Sequence, residues 1–146
     1  MTDSALLDVN VLVALAWPHH LHHSRAHAWL GSHPGEFLTT PITESALIRL
    51  SLNRTVTGTD VTPGEVLALV TAVRRHPQHR FLPDDSSLAA PHISLSRLAT
   101  ARQTTDLHLV NLCALHGVVL LTLDRSIIEM LEPVDRRHVA VLESAS

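Results

Sequence analysis

"TTDLHLVNLCALHGVVLLTLDRS", residues 104–126, is strongly apolar yet carries an acid near each end, Asp106 and Asp124. Its first part suits a helix ended by Gly117. "VVLLTL" after it is a continuous apolar strand, of the kind found in parallel sheets covered on both faces. Ionised carboxylates at the ends of core elements are costly unless something pairs with them. What pairs with these two, and whether they have company, decides the reading of the chain.

The N-terminus repeats the pattern. "ALLDV" is a short buried strand that runs into Asp8, and "NVLVALAW" after it is a helix apolar nearly all round. "GEFLTT" is a second short strand. "TPITESALIRLSL" follows as a helix with Thr40 at the N-cap and Pro41 in the first turn. Ala46, Leu47 and Leu50 share one of its faces. In "TPGEVLALVTAVRRHP", Thr62 and Glu65 fit a capping box, Val66, Val70 and Val73 line one side, and Pro77 stops the helix. "RFLP" is a brief strand, "DDSSLAAPHISLSRLATAR" a loop leading to a short helix, and "HVAVLE" a last strand. Strands alternating with helices predict an α/β fold with a mainly parallel sheet, residues 1–146 forming one domain. The ligand site of such a sheet lies at the carboxyl ends of its strands.

Composition narrows the function. A chain of 146 residues with 45% hydrophobic and 17% charged residues has a real core and is not disordered. Aromatics are only 3%, so Leu, Val, Ala and Ile must build that core. The formal net charge of −3 argues against a protein that coats DNA, but not against a nucleic-acid enzyme with a local basic rim. All basic residues other than His are Arg, read first as base-composition bias in the coding DNA. The single cysteine, Cys113, allows no intrachain disulfide and reads as a small buried apolar residue. The first residues carry Asp3, Asp8 and Asn10 where a signal peptide would be apolar, and no apolar run is long enough to span a membrane. A cytoplasmic protein without a membrane partner is expected.

On this scheme Asp8 and Asp124 project from strand C-terminal ends, while Glu44 and Asp106 sit in the first turns of helices. All four can converge on one edge of the sheet. Four carboxylates in one cleft repel, so either some stay protonated or a cation neutralises them. Hard oxygen ligands without cysteine point to Mg²⁺, with Mn²⁺ as a substitute, rather than zinc. Such a site suits activation of water and stabilisation of charge on a phosphoryl oxygen. Each acid also has an ordinary explanation. Glu44 and Asp106 favour helix N-termini, and Asp124 before Arg125 favours a turn. Asp8, which interrupts an apolar run, is the hardest to explain that way.

"LLDVNVLVAL", "TTPITESALIRL" and "TTDLHLVNLCALHGVVLLTLDRSI", with the spacings between them, resemble the PIN domain, and more narrowly the VapC toxins of bacterial toxin–antitoxin pairs. The resemblance implies a PIN-like α/β/α sandwich and a metal-dependent endoribonuclease that hydrolyses RNA without a covalent intermediate. It places Asp8, Glu44, Asp106 and Asp124 on the family's acidic quartet. Asp8 and Asp106 become the most direct Mg²⁺ ligands, Glu44 and Asp124 ligands directly or through water. Asn10 and Thr122 match supporting polar positions. Asn10 also suits a helix cap, and Thr122 an ordinary strand position. The resemblance further implies a homodimer and a VapB-type antitoxin that holds the enzyme inactive. Residues 54–92 match only in general character.

Three features stand beside this core reading. Arg49, Arg102 and Arg125 are placed to steer phosphate or to neutralise the acids, or are plain surface arginines. His19, His20, His22, His23, His27 and His33 form a tract that suits a transition metal, an RNA-touching rim at the cleft mouth or a solvated loop. Trp17 and Trp29 read as core or interface. The competing functions are a catalytically weak PIN domain that binds RNA or protein, and a metal-dependent nuclease or phosphatase of another α/β family. The lack of a "DxD" motif weakens the phosphatase.

Overall fold

The structure, a computed structural model, describes residues 3–143. Five strands form one sheet: β1 (Ala5–Leu7), β2 (Phe37–Thr39), β3 (His79–Phe81), β4 (Val119–Thr122) and β5 (Val139–Val141). Their spatial order is β3-β2-β1-β4-β5 and every pairing is parallel. Parallel neighbours need crossovers, and helices supply most of them. α1 (Val9–Ala16) and α2 (His23–Ser32) lead from β1 to β2. α3 (Pro41–Ser51), α4 (Arg54–Thr57) and α5 (Pro63–Arg75) lead to β3. α6 (Thr104–His116) precedes β4, and α7 (Ser126–Glu129) with a 3₁₀ turn at Pro133–His138 precedes β5.

The strands alternate their side chains between two cores, as the period of two requires. Leu6 and Leu120 pack on one face with Leu107, Val110 and Cys113 of α6. Leu7 and Leu121 pack on the other with Val11 and Leu12 of α1 and Leu47 of α3. Each fully buried leucine contributes roughly 1.5–3 kcal/mol. The result is an α/β/α sandwich. No helix among the described residues is long and apolar enough to cross a membrane.

Successive strands step outward from β1 to β2 and β3, then the chain returns to the other side for β4 and β5. The order therefore reverses between β1 and β4. At such a switch point the crossovers diverge and leave a crevice beyond the strand ends.

Local signals account for most element boundaries. Thr62 Oγ1 accepts from the Glu65 N–H at 3.2 Å and starts α5. Thr40 is the N-cap of α3 with Pro41 in its first turn, and Thr43 Oγ1 reaches back to accept from the Thr40 N–H at 3.1 Å. The stretch 84–102 is less regular than its sequence suggested, with a single 3₁₀ turn at Ala101–Gln103 before α6. It drapes over α6, where buried Asn111 accepts from the His92 N–H at 2.6 Å and donates to Ser87 O at 3.2 Å. That cover explains why α6 is apolar nearly all round.

Gly117 ends α6 at φ 65°, a left-handed conformation, whereas Gly31 lies inside α2 with nothing within 4 Å of the space a Cβ would take. The two glycines should answer Ala in opposite senses. Gly117→Ala is expected to destabilise by about 1–2 kcal/mol, and Gly31→Ala to stabilise by about 0.5–1 kcal/mol. Urea denaturation of both variants checks the signs.

Candidate active site

Asp8 stands at the switch point. Its backbone N–H donates to Leu121 O at 2.9 Å, which ties the end of β1 to β4. The side chain is 4% exposed. Oδ1 accepts from the Val9 N–H at 2.8 Å, so Asp8 also caps α1. Oδ2 accepts from Thr122 Oγ1 at 2.7 Å and from Asn10 Nδ2 at 3.4 Å.

Thr122 has one hydroxyl proton, which goes to Asp8. Its oxygen then accepts from Asn10 Nδ2 at 3.1 Å and from the Asp124 N–H at 3.0 Å. Asn10 Oδ1 in turn accepts from the Leu123 N–H at 3.1 Å. The first helical turn after β1 is thus laced to the segment after β4, and Asp8 is fixed in one orientation.

Asp106 enters from the first turn of α6. Asp8 and Asp106 line one cavity of about 190 Å³, with Thr43, Ala46 and Arg49 of α3 on the wall. Burial pushes the Asp106 carboxyl up to about 6, and the charges on Asp8 and Asp124 add to the rise. Asp8 is also raised, mainly by burial and also by Asp124, against the lowering effect of its hydrogen bonds. Asp124 itself accepts from Ser126 Oγ at 2.6 Å and from the Ser126 N–H at 3.0 Å. Three aspartates from distant segments therefore feel one another's charge.

Of the four expected acids, Asp8 and Asp106 line this cavity, while Asp124 and Glu44 are not on its lining. Positions 43, 46 and 49 fall on the cavity side of α3, while residue 44 lies well round the helix at ~100° per residue. Its carboxylate turns to α5, where Arg74 donates to both oxygens at 3.3 Å. Thr39 Oγ1 donates to Oε2 at 2.6 Å and accepts from His79 Nε2 at 2.7 Å. With the threonine proton spent on Glu44, His79 carries its own proton on Nε2. Burial holds the His79 pKa below its usual value, with the Arg74 charge acting in the same direction.

The arginines divide similarly. Arg49 is exposed on the cavity wall and makes no ion pair among the described residues. Arg125 pairs with Glu143, and Arg102 stands exposed on the 3₁₀ turn before α6.

The histidine tract lies away from the acids. The ring nitrogens of His23 and His27 bond to Ala14 O and Leu15 O, each at 2.8 Å, and satisfy carbonyls at the end of α1. His33 stacks on Trp29 and lines a cavity with Asp3 and Ser4, beside the strands' N-terminal ends. The expected place at the cleft mouth is not the one the fold gives, because α1 carries the chain back along the sheet. Trp17 bridges α1 to α3, its Nε1 donating to Ser51 Oγ at 2.9 Å.

Among the described residues, no three His, Cys, Asp or Glu side chains are gathered tightly enough to hold an ion by themselves. The donor chemistry nevertheless fits a hard cation, since the cavity offers carboxylate oxygen and no imidazole or thiolate. Mg²⁺ is usually held by one or two carboxylates, with water and phosphate oxygens completing its shell. Asp8 and Asp106 on one wall match that requirement.

Residues 5–132 match the PIN domain family. Ribonuclease VapC39 of Mycobacterium tuberculosis (strain CDC 1551 / Oshkosh) is 39% identical over 126 residues, covering 85% of this chain and 91% of its own. Ribonuclease VapC38 of Mycobacterium tuberculosis (strain ATCC 25618 / H37Rv) is 36% identical over 139 residues, 94% of this chain and 97% of its own. Ribonuclease VapC29 of the same strain is 33% identical over 121 residues, 83% and 86%.

The raised Asp106 carboxyl makes stability depend on pH. Between the ordinary carboxylate value and about 6 the folded state holds a proton that the unfolded chain has lost. Stability is therefore greatest below pH ~4 in this contribution and falls as pH rises through 6. In chelator at pH 7.5, Asp106→Asn should be more stable than wild type by about 1 kcal/mol, a figure discounted for the group's partial exposure. At pH 4 the difference should vanish. Thermal melts at the two pH values check this.

Proposed function

This chain belongs to the PIN-domain family, among relatives named ribonuclease VapC, and on that premise we propose that it is a divalent-metal-dependent endoribonuclease toxin. It hydrolyses RNA phosphodiester bonds in the cytoplasm, functions as a homodimer and is neutralised by a VapB-type antitoxin. The carrying observation is the pair Asp8 and Asp106 on one cavity wall at the switch point, with Asp124 close enough to raise both carboxyls.

Asp8 and Asp106 are the residues to hold Mg²⁺, or Mn²⁺ in its place, and Asp124 completes the negative field. The ion, when bound, supplies Lewis acidity and lowers the pKa of water. The chain supplies the rest. Thr122, Asn10 and the Val9 N–H hold Asp8 rigid, so no reorganisation is needed at the moment of reaction. Asp106 lines the same cavity as Asp8, where its carboxylate can hold the ion and orient an attacking water by hydrogen bonding. Arg49 presents a guanidinium whose fork matches phosphate oxygens and draws the RNA backbone to an otherwise anionic wall. Glu44 acts at one remove, anchoring α3 against α5 through Arg74. The withdrawal of Glu44 is the one observation that favours the alternative, a catalytically weak PIN domain serving as an RNA- or protein-binding module.

Purified protein on total cellular RNA distinguishes the two. Wild type with Mg²⁺ should yield discrete fragments and none with chelator. Asp8→Asn and Asp106→Asn should each lose about 100-fold or more in rate, and Glu44→Gln about tenfold or less. Fragments that persist in chelator, or an Asp8→Asn variant as fast as wild type, would refute the nuclease reading.

A further inference from the structure

A second cavity, of about 340 Å³, opens beside the acidic one, and the two share Ile42 and Thr105. Its size lies within the roughly 300–1,000 Å³ of ligand pockets. Ile42 and Leu88 give it apolar surface. Asp84, Ser86, Thr105 and His108 give it polar groups. Ser86 Oγ is buried without a hydrogen-bond partner among the described residues. A buried hydroxyl left unbonded is destabilising, a penalty that a ligand removes by bonding to it.

The walls are built rather than loose. His108 Nε2 bonds Asp84 Oδ1 at 2.7 Å and pins the start of the loop to α6. Asn111 holds Ser87 O at 3.2 Å on the far side.

The charge of this cavity differs from that of its neighbour. It has no Arg on its lining, and it has a carboxylate. A phosphate is repelled there, whereas Arg49 awaits one next door. An uncharged heterocycle with N–H donors is not repelled. One oxygen of Asp84 is taken by His108, and the other, unbonded among the described residues, can accept from an exocyclic amino group.

We propose that this cavity binds the base of the nucleotide next to the scissile phosphate. The proposal rests on the ribonuclease reading and names a substrate-recognition site for it. The base lies against Ile42 and Leu88 and is read by Asp84 and Ser86. Adenine, guanine and cytosine carry the amino group that Asp84 accepts from; uracil lacks it, and its one donor on that edge, N3–H, sits between two carbonyl oxygens that the carboxylate repels. The enzyme should therefore discriminate against uracil at one position beside the cut.

Two measurements test it. Randomised RNA cut by the full chain with Mg²⁺ should show about tenfold discrimination against uracil at that position. Ser86→Met, which fills the cavity, and Leu88→Ala, which removes one wall, should each reduce it to about threefold or less. Separately, Asp8→Asn protein titrated with the four free ribonucleosides should show amide NMR shifts at Ser86, Leu88 and Thr105 with adenosine, guanosine and cytidine. Uridine should give weaker shifts, and Ser86→Met in the same background should abolish them all. Base preference unchanged in both variants, or nucleosides that leave those amides unmoved, would overturn the proposal. If no RNA is cut but the nucleosides still bind this cavity, the nuclease reading fails and the base site stands.

Discussion

Like charges forced together in a poorly hydrated place are the constraint on which this molecule's organisation depends. Asp8, Asp106 and Asp124 come from the first strand, the α6 helix and the segment after β4, and each of the first two has its carboxyl raised by burial and by its neighbours. In water a carboxylate at such a site would be hydrated. Here part of that hydration is replaced, at Asp8 by the Thr122 hydroxyl, the Asn10 amide and one backbone N–H, and at Asp124 by the Ser126 hydroxyl and N–H. Neutral donors leave these charges unneutralised, and under the proposed function a divalent cation would meet that shortfall.

The fold serves this site by topology. Because strand order reverses between β1 and β4, the Asp8 and Asp124 segments leave neighbouring strands at the same edge. The Asp8–Thr122–Asn10 bonds then lock the two segments together, so the sheet's central pairing and the acidic pocket are one structural unit. α3 provides the opposing wall. Its rotation puts Thr43, Ala46 and Arg49 towards the acids, while Glu44 faces Arg74 and Thr39. An acid sequestered on one side of the helix and a cation left on the other make the pocket less negative than four carboxylates would. That arrangement suits a site that must admit a polyanion.

Much of this was legible in the sequence. Apolar runs ending in Asp marked β1 and the β4 segment, and Gly117 and the Thr62 cap marked helix boundaries, because these depend on residues adjacent in the chain. The edge shared by Asp8, Asp106 and Asp124 followed from strand–helix alternation alone. The orientation of Glu44 did not. A first-turn position says that a residue is near a helix N-terminus, but which side it faces depends on how the helix is rolled against α5, a contact more than two dozen residues away in sequence. The histidine tract misled for a related reason. Its position after the Asp8 helix suggested nearness, yet one helix running back along the sheet carries it to the opposite end, where ring nitrogens cap α1. The covering of α6 by residues 84–102 was also hidden, since Asn111 reads as an ordinary polar residue in an apolar helix until its loop partners are seen.

Divalent-ion uptake measured by calorimetry tests the central claim most directly. The account predicts that the wild-type chain binds Mn²⁺ with a saturable isotherm, that Asp8→Asn and Asp106→Asn each weaken it by about tenfold or more, and that Glu44→Gln changes it by about threefold or less. A wild-type protein that takes up no ion, or uptake that depends on Glu44 and ignores Asp106, would contradict it.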